Sequence, residues 1–377
     1  MITESDYQQD LAFLRDKLLC HPLCVIHPET IEKFDVLYRK LGKTERYDQF
    51  IDAMTYLTSF FHDGHTNIEL PYTESDLCLN IPCSWCGDRL FLSGNYEGIE
   101  QGSEIISVEG WEMATVMAHM EKRIPHENRY LVKSRMTHYP YRNYHFFSQM
   151  NLRSMFGDRE TYCVNFLSNG RCISRSCALQ AYDRFLDFPK DETFLSWELS
   201  DTTAVLHLDA CICNDAYKAA LRELAEQCRA KKIKRFVLDL GRNMGGSSAV
   251  IDEFVRYVDI DTFKRYEMID CSQGMTNPVT RRDEVIKNRK YPVCFPRELY
   301  CRVSNDTFSS ARTFAVTLRD NGIARIIGEP TGGRPNSFGM PKRFQTPNSG
   351  IRFRVSTSLF LRPNPAGDSD IALYPDM

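Results

Sequence analysis

Ser309 sits in Thr307-Phe308-Ser309-Ser310, between an apolar run ending at Val303 and a helical pattern that closes before a second apolar run, Ala324 to Ile327. That order reads as strand, corner, helix, strand. A serine at such a corner can stand above a parallel sheet with its hydroxyl toward a ligand, which makes Ser309 a candidate nucleophile. Serine at its free pKa is a weak nucleophile and needs a base. The candidates are His62, His65 and His207, or a lysine. His65 is favoured, because His62-Asp63-Gly64-His65-Thr66 is a compact turn in which Gly64 reads as a helix stop, leaving His65 at an exposed position.

A second loop, Asp239 to Ser247 (DLGRNMGGS), leaves an adjacent apolar run. Its glycines Gly245 and Gly246 allow close backbone approach and present N–H groups at the start of the next helix. With the Ser310 N–H they would form an oxyanion hole, a set of donors aimed at the charge that develops on a carbonyl oxygen in acyl transfer. Each feature also has an ordinary structural use. Ser309 in a Thr/Ser cluster suits a helix N-cap, a lone histidine is more often structural than catalytic, and a glycine pair makes a strand-to-helix turn.

The elements that must position these groups divide the chain into four stretches. Residues 1–70 read as helical, with Tyr7, Leu11, Leu14 and Leu18 on one face and Phe50, Met54, Leu57 and Phe61 on another. Residues 71–130 break into short strand-like runs. Within them, Gly102 to Ile124 has a strand, a Glu-Gly turn and a helix that resemble the closing half of a PDZ-like module. Residues 131–200 read as a β-rich connecting layer, with a hairpin turn at Asn169-Gly170. From about 201 to 377, near-continuous apolar strands alternate with helices, which predicts an α/β domain built on a parallel sheet.

Composition narrows the partners. The 377 residues carry 47 Lys plus Arg against 50 Asp plus Glu, a net charge of −3, which is no footprint for nucleic acid. The start of the chain lacks the basic and apolar regions of a signal peptide, and no run is long enough to cross a membrane, so a cytoplasmic protein is expected. The 14 cysteines form no framework. Cys83 with Cys86 (CxxC) and Cys211 with Cys213 (CxC) have no second ligand pair at zinc spacing and read as thiols. No metal or organic cofactor is expected.

With these residues in view, the chain resembles the tail-specific, or C-terminal processing, serine proteases, on the branch related to the tricorn core. The likeness lies in DLGRNMGGSS (239–248), TFSSARTFA (307–315), IIGEPTGGRP (326–335), HDGHT (62–66) and the terminal Tyr374-Pro375-Asp376. It implies a Clp protease/crotonase-like catalytic domain, an acyl-enzyme on Ser309, oxyanion donors at Gly245 or Gly246 with Ser310, and a peptide or protein substrate. Many bacterial members of that family place a lysine base where this chain has Arg334. Guanidinium does not deprotonate, so the dyad is excluded and the histidine of the tricorn-like branch, matched by His65, takes its place.

That branch also orients its histidine with an acidic residue near the C-terminus. Asp370, Asp368 and Asp376 are the carboxylates available there, with Asp370 preferred. Arg312 replaces a customary glutamate, and Arg312 with Arg334 would suit bidentate recognition of a peptide C-terminal carboxylate. Two competing readings share the fold: a ligand-binding protein without catalysis, and a crotonase-like acyl-CoA enzyme with the same oxyanion geometry and no nucleophile.

Overall fold

The computed structural model describes residues 2–42, 44–138, 141–182, 194–272, 279–281, 285–365 and 371–376. Its main parallel sheet has five strands in the order Leu195–Leu199, Thr203–Leu208, Arg235–Asp239, Glu298–Val303, Arg325–Gly328. The last four are parallel and the first is an antiparallel edge. Alternate residues such as Leu206, Phe236, Leu238, Cys301 and Ile326 are fully buried, and helices Asp215–Ala230 and Ser310–Asp320 pack against them. The first of these helices follows its sequence pattern. Leu221, Leu224, Ala225 and Cys228 form one buried face, and the Asn214 side chain caps its start by accepting from Tyr217 N.

The boundary expected at residue 130 falls inside one structural unit. Strands Thr161–Ser168 and Arg171–Ala178 join Cys83–Cys86, Arg89–Leu92 and Glu104–Val108 in a single antiparallel sheet, over one core that runs from Cys78 to Cys177. The hairpin turn lies where its sequence places it, with Asn169 and Gly170 both at positive φ, the conformation a tight primed turn demands. Two helices in this stretch, Arg129–His138 and Gln149–Phe156, escaped the sequence reading. Arg129–His138 buries Lys133 and Arg135 as well as Leu131, Val132 and Met136, so its polarity hides its packing.

The N-terminal helices Glu4–Leu18 and Tyr47–Ser59 pack on a strand from the far end of the chain. Their core includes Phe353 and Val355, and the strand Asn67–Glu69 pairs antiparallel with Arg352–Val355. Buried Asp10 accepts from the backbone of Asn348 (2.9 Å) and Ser349 (2.7 Å), tying the first helix to the turn that precedes that strand. The strand pairing brings the His65 turn, just before Asn67, to the Ser309 corner.

His145 is fully buried among aromatic side chains, and burial, helped by nearby His138, pushes its pKa down to about 3. In the unfolded chain it titrates near ~6.5. Below that pH the unfolded chain binds a proton that the native state refuses, so stability falls with pH by up to about 1.4 kcal/mol per unit until the native pKa is reached. His145→Gln is expected to flatten the stability-versus-pH slope between about pH 6 and 4.5, followed by denaturant unfolding; parallel slopes would contradict it.

Candidate active site

Ser309 occupies the position before helix Ser310–Asp320, but its side chain does not cap the helix. Its backbone sits at φ 52°, ψ −127°, a region that costs a non-glycine residue about 1–3 kcal/mol. The surroundings fix this conformation. Phe308 N donates to Asn243 O (3.1 Å), the Thr307 hydroxyl to Leu240 O (2.8 Å), and the Ser310 hydroxyl to Gly246 O (2.8 Å). A strained serine at a strand-to-helix turn holds its hydroxyl clear of the backbone, as nucleophilic serines require.

That hydroxyl meets His65, whose Nε2 lies 2.9 Å from Ser309 Oγ. The His65 ring stacks on Phe308 (centroids 4.6 Å apart, planes at 28°), and its side chain is 12% exposed, so the expected exposed turn is a mostly enclosed one. Gly64 does not end the preceding helix. The helix stops at Ser59, and His62 takes the positive φ. Gly64 is needed for space, because a Cβ there would lie 2.7 Å from both Leu131 and Phe308 side-chain carbons. Asp63 organises the turn: fully buried, it accepts from His65 N (2.9 Å), the Thr66 hydroxyl (2.7 Å) and the Ser356 hydroxyl (2.6 Å), and faces His21 Nε2 at 3.2 Å. Burial alone would raise its pKa, but its contacts with His21 and His65 outweigh that and hold it well below the usual carboxylate range.

For Ser309 Oγ–H to donate to Nε2, the His65 proton must sit on Nδ1. Two buried carboxylates face that atom: Asp63 Oδ1 at 3.4 Å and Glu127 Oε1 at 4.0 Å. Glu127 Oε2 accepts from Arg334 N (2.7 Å) and lies 3.6 Å from Arg312 Nη1. Its pKa is raised, burial outweighing the opposing effect of Arg312. Asp63, His65 and Glu127 also have the spacing of a small metal site. The hydrogen bonds already converging on the Asp63 oxygens make it a poor ligand set for a cation.

The glycine loop borders Ser309. Cys211 bonds the residues on either side of Gly246, donating to Gly245 O (2.9 Å) and accepting from Ser247 N (2.7 Å). The Gly246 N–H therefore points away from that pairing. Gly245 N instead donates to Asn243 Oδ1 (2.8 Å), which takes it out of the expected donor set and leaves Gly246 and Ser310. The cleft beside these groups encloses about 760 Å³ and carries the apolar side chains of Ile251, Tyr266, Met268, Ile286, Phe338 and Phe360.

Other expected site residues lie elsewhere or are differently engaged. Asp368 and Asp370 fall outside the described residues. Asp376 accepts from Ile326 N (2.6 Å) and pairs with Arg319 (2.8 Å), pinning the terminal segment to the sheet edge. Arg312 is 2% exposed; it donates to Arg334 O and faces Glu127, while Arg334 Nε donates to Glu127 O (3.0 Å). The expected pair of free guanidinium groups for a substrate carboxylate is thus corrected: burial commits Arg312 to the protein interior. His207 pairs with Asp239 (3.0 Å), and His62 faces His126. Cys83 is buried and Cys86 exposed along one strand, as i and i+3 on opposite faces must be. Sequence reasoning missed Asp63, Glu127, Asn243 and Phe308. Only Asn243, among turn-forming glycines, carried a local signal.

Residues 202–376 match the family model described as peptidase family S41. No curated protein matches the chain by sequence. Mature CPAF has a similar structure, with TM-score 0.70 and 13% identity over 98% of this chain and 92% of that one. Its complex with lactacystin matches equally well, at TM-score 0.70 and 13% identity over 98% and 93%. The photosystem II D1 C-terminal processing protease matches with TM-score 0.51 and 15% identity over 98% and 92%. The α/β architecture is that of an S41 peptidase, and the protein is a serine-type peptidase. The match to peptidase family S41, the tail-specific proteases, thus lies in the 202–376 region, which holds Ser309 and the glycine loop.

A Cβ added at Gly245 would lie 2.6 Å from Ser309 Cβ, on a backbone at φ 109°. Gly245→Ala is therefore expected to cost about 1–3 kcal/mol in stability and to slow modification of Ser309 by a fluorophosphonate at least ~10-fold. An unchanged melting temperature and labelling rate would show that the loop has slack there.

Proposed function

We propose that this peptidase cleaves peptide bonds through an acyl-enzyme on Ser309, with His65 as general base. The observation that carries this is the 2.9 Å approach of His65 Nε2 to Ser309 Oγ across 244 positions of sequence. Two side chains so far apart in the chain, one of them on a strained backbone, are held within proton-transfer reach of each other. His65 takes the Ser309 proton as Oγ attacks the scissile carbonyl. The oxyanion forms against the Gly246 and Ser310 N–H groups, each such donor being worth about 10²–10³ in rate. The imidazolium then gives its proton to the leaving amine, and water enters by the reverse route.

The apolar cleft favours a substrate with a bulky apolar side chain beside the scissile bond. Processing near a peptide C-terminus is supported by the likeness to the D1 C-terminal processing protease, while the burial of Arg312 removes the carboxylate clamp that would have enforced it. We read residues 71–130 as a PDZ-like module completed by the strands that follow. All 14 cysteines are free thiols and no helix of the described residues is long and apolar enough to cross a membrane. Both fit a cytoplasmic setting.

Ser309→Ala and His65→Ala are each expected to lower kcat/KM on a peptide substrate by about 10⁴-fold or more with little change in substrate binding, and to abolish fluorophosphonate labelling. Turnover retained in Ser309→Ala would end the assignment; labelling on another serine would move it.

A further inference from the structure

Glu127 is a buried carboxylate that nothing in the sequence marks as functional. It lies between helices Met113–Glu121 and Arg129–His138, with a side chain 2% exposed. Its Oε2 is engaged by Arg334 N and faces Arg312. Its Oε1 is buried with no hydrogen-bond partner among the described residues, and the same is true of His65 Nδ1, 4.0 Å away. A buried acceptor and a buried ring nitrogen, each without a hydrogen-bond partner among the described residues, face each other 4.0 Å apart.

Asp63 is the rival. Its Oδ1 is nearer to Nδ1, at 3.4 Å, but this oxygen accepts the N–H of His65 itself (2.9 Å), a bond within the turn that locks its direction. Its other oxygen takes the Thr66 and Ser356 hydroxyls and faces His21. Asp63 therefore shapes the turn, and Glu127 has the free oxygen. The charged groups around the Glu127 and His65 pair are Asp63 from the turn, Arg312 from helix Ser310–Asp320, and Arg334 from the loop beyond. Gly333 leaves room for the carboxylate, since a Cβ there would lie 2.9 Å from Glu127 Oε2.

We propose that Glu127 is the positioning carboxylate of this site. It accepts the Nδ1–H of His65, holds the tautomer that leaves Nε2 bare toward Ser309, and stabilises the imidazolium formed when the Ser309 proton moves to Nε2. Glu127 itself neither gains nor loses a proton, and no bond to substrate forms on it. Arg312 and Arg334 then serve Glu127 instead of the substrate. The proposal rests on the Ser309 and His65 reading above.

The test uses the full chain, with Ser309 modified by a peptidyl boronate so that His65 is held as imidazolium, and proton NMR of the strongly downfield Nδ1–H. Wild type is expected to show that resonance and Glu127→Gln to lose it, with kcat lowered ~10²–10⁴-fold and KM within ~3-fold. Glu127→Asp, with the carboxylate drawn back, is expected to give intermediate kcat and a shifted resonance. It decides the matter alone if Glu127→Gln does not fold. An unchanged resonance and kcat in whichever variant folds would overturn the proposal. Failure of the boronate to attach to Ser309 in wild type would instead remove the underlying nucleophile assignment, and the proposal with it.

Discussion

The Ser309 corner and the His65 turn belong to opposite ends of the chain, and one packed contact brings them together. The Phe308 ring lies against the His65 imidazole, and Gly64 lets that turn close onto Phe308 and Leu131 without a side chain between. Fully buried Arg135 ties the same place to a third part of the chain. It donates to Gly64 O and Pro125 O, each at 2.6 Å, with its guanidinium 5.5 Å from the Phe308 ring. Three units thus meet at Phe308, and the 2.9 Å distance between His65 and Ser309 follows from that packing.

Such a junction carries an electrostatic cost. Asp63 and Glu127 are both buried near His65, and an unpaired buried charge is strongly destabilising. Asp63 offsets its burial with a close set of donors from its own turn, from Ser356 and from His21. Glu127 relies on Arg334 N and on Arg312. The permanently charged guanidinium that faces the Glu127 carboxylate is that of Arg312, while the Arg334 side chain donates to the Glu127 backbone carbonyl.

Much of the catalytic half was legible because its signals are local. Apolar runs separated by helical periods predict a parallel sheet, and Gly245, Gly246 and Ser309 lie at strand ends, where such sheets bind ligands. His65 was legible as part of a compact turn, though the role assigned to Gly64 was wrong: space, not helix termination, requires it. Glu127 and Asp63 were not legible, since an isolated carboxylate in a helix-to-helix link or a turn looks like any solvated one until the fold buries it. Arg312 misled for the same reason, because a charged residue on a helix reads as exposed unless its face is known. The boundary at residue 130 failed because a sheet completed by strands 161–178 leaves no composition change where the chain pauses.

The central claim is that a carbonyl placed at Ser309 meets a base from the N-terminal turn and donors from the glycine loop at once. A crystal structure of the chain with a peptidyl boronate tests this most directly. The account predicts boron bonded to Ser309 Oγ, one boronate oxygen within hydrogen-bond reach of the Gly246 and Ser310 N–H groups, and His65 Nε2 directed at the other. A boronate bound without a bond to Ser309, or bonded there with its oxygens turned away from both N–H groups and from His65, would contradict it.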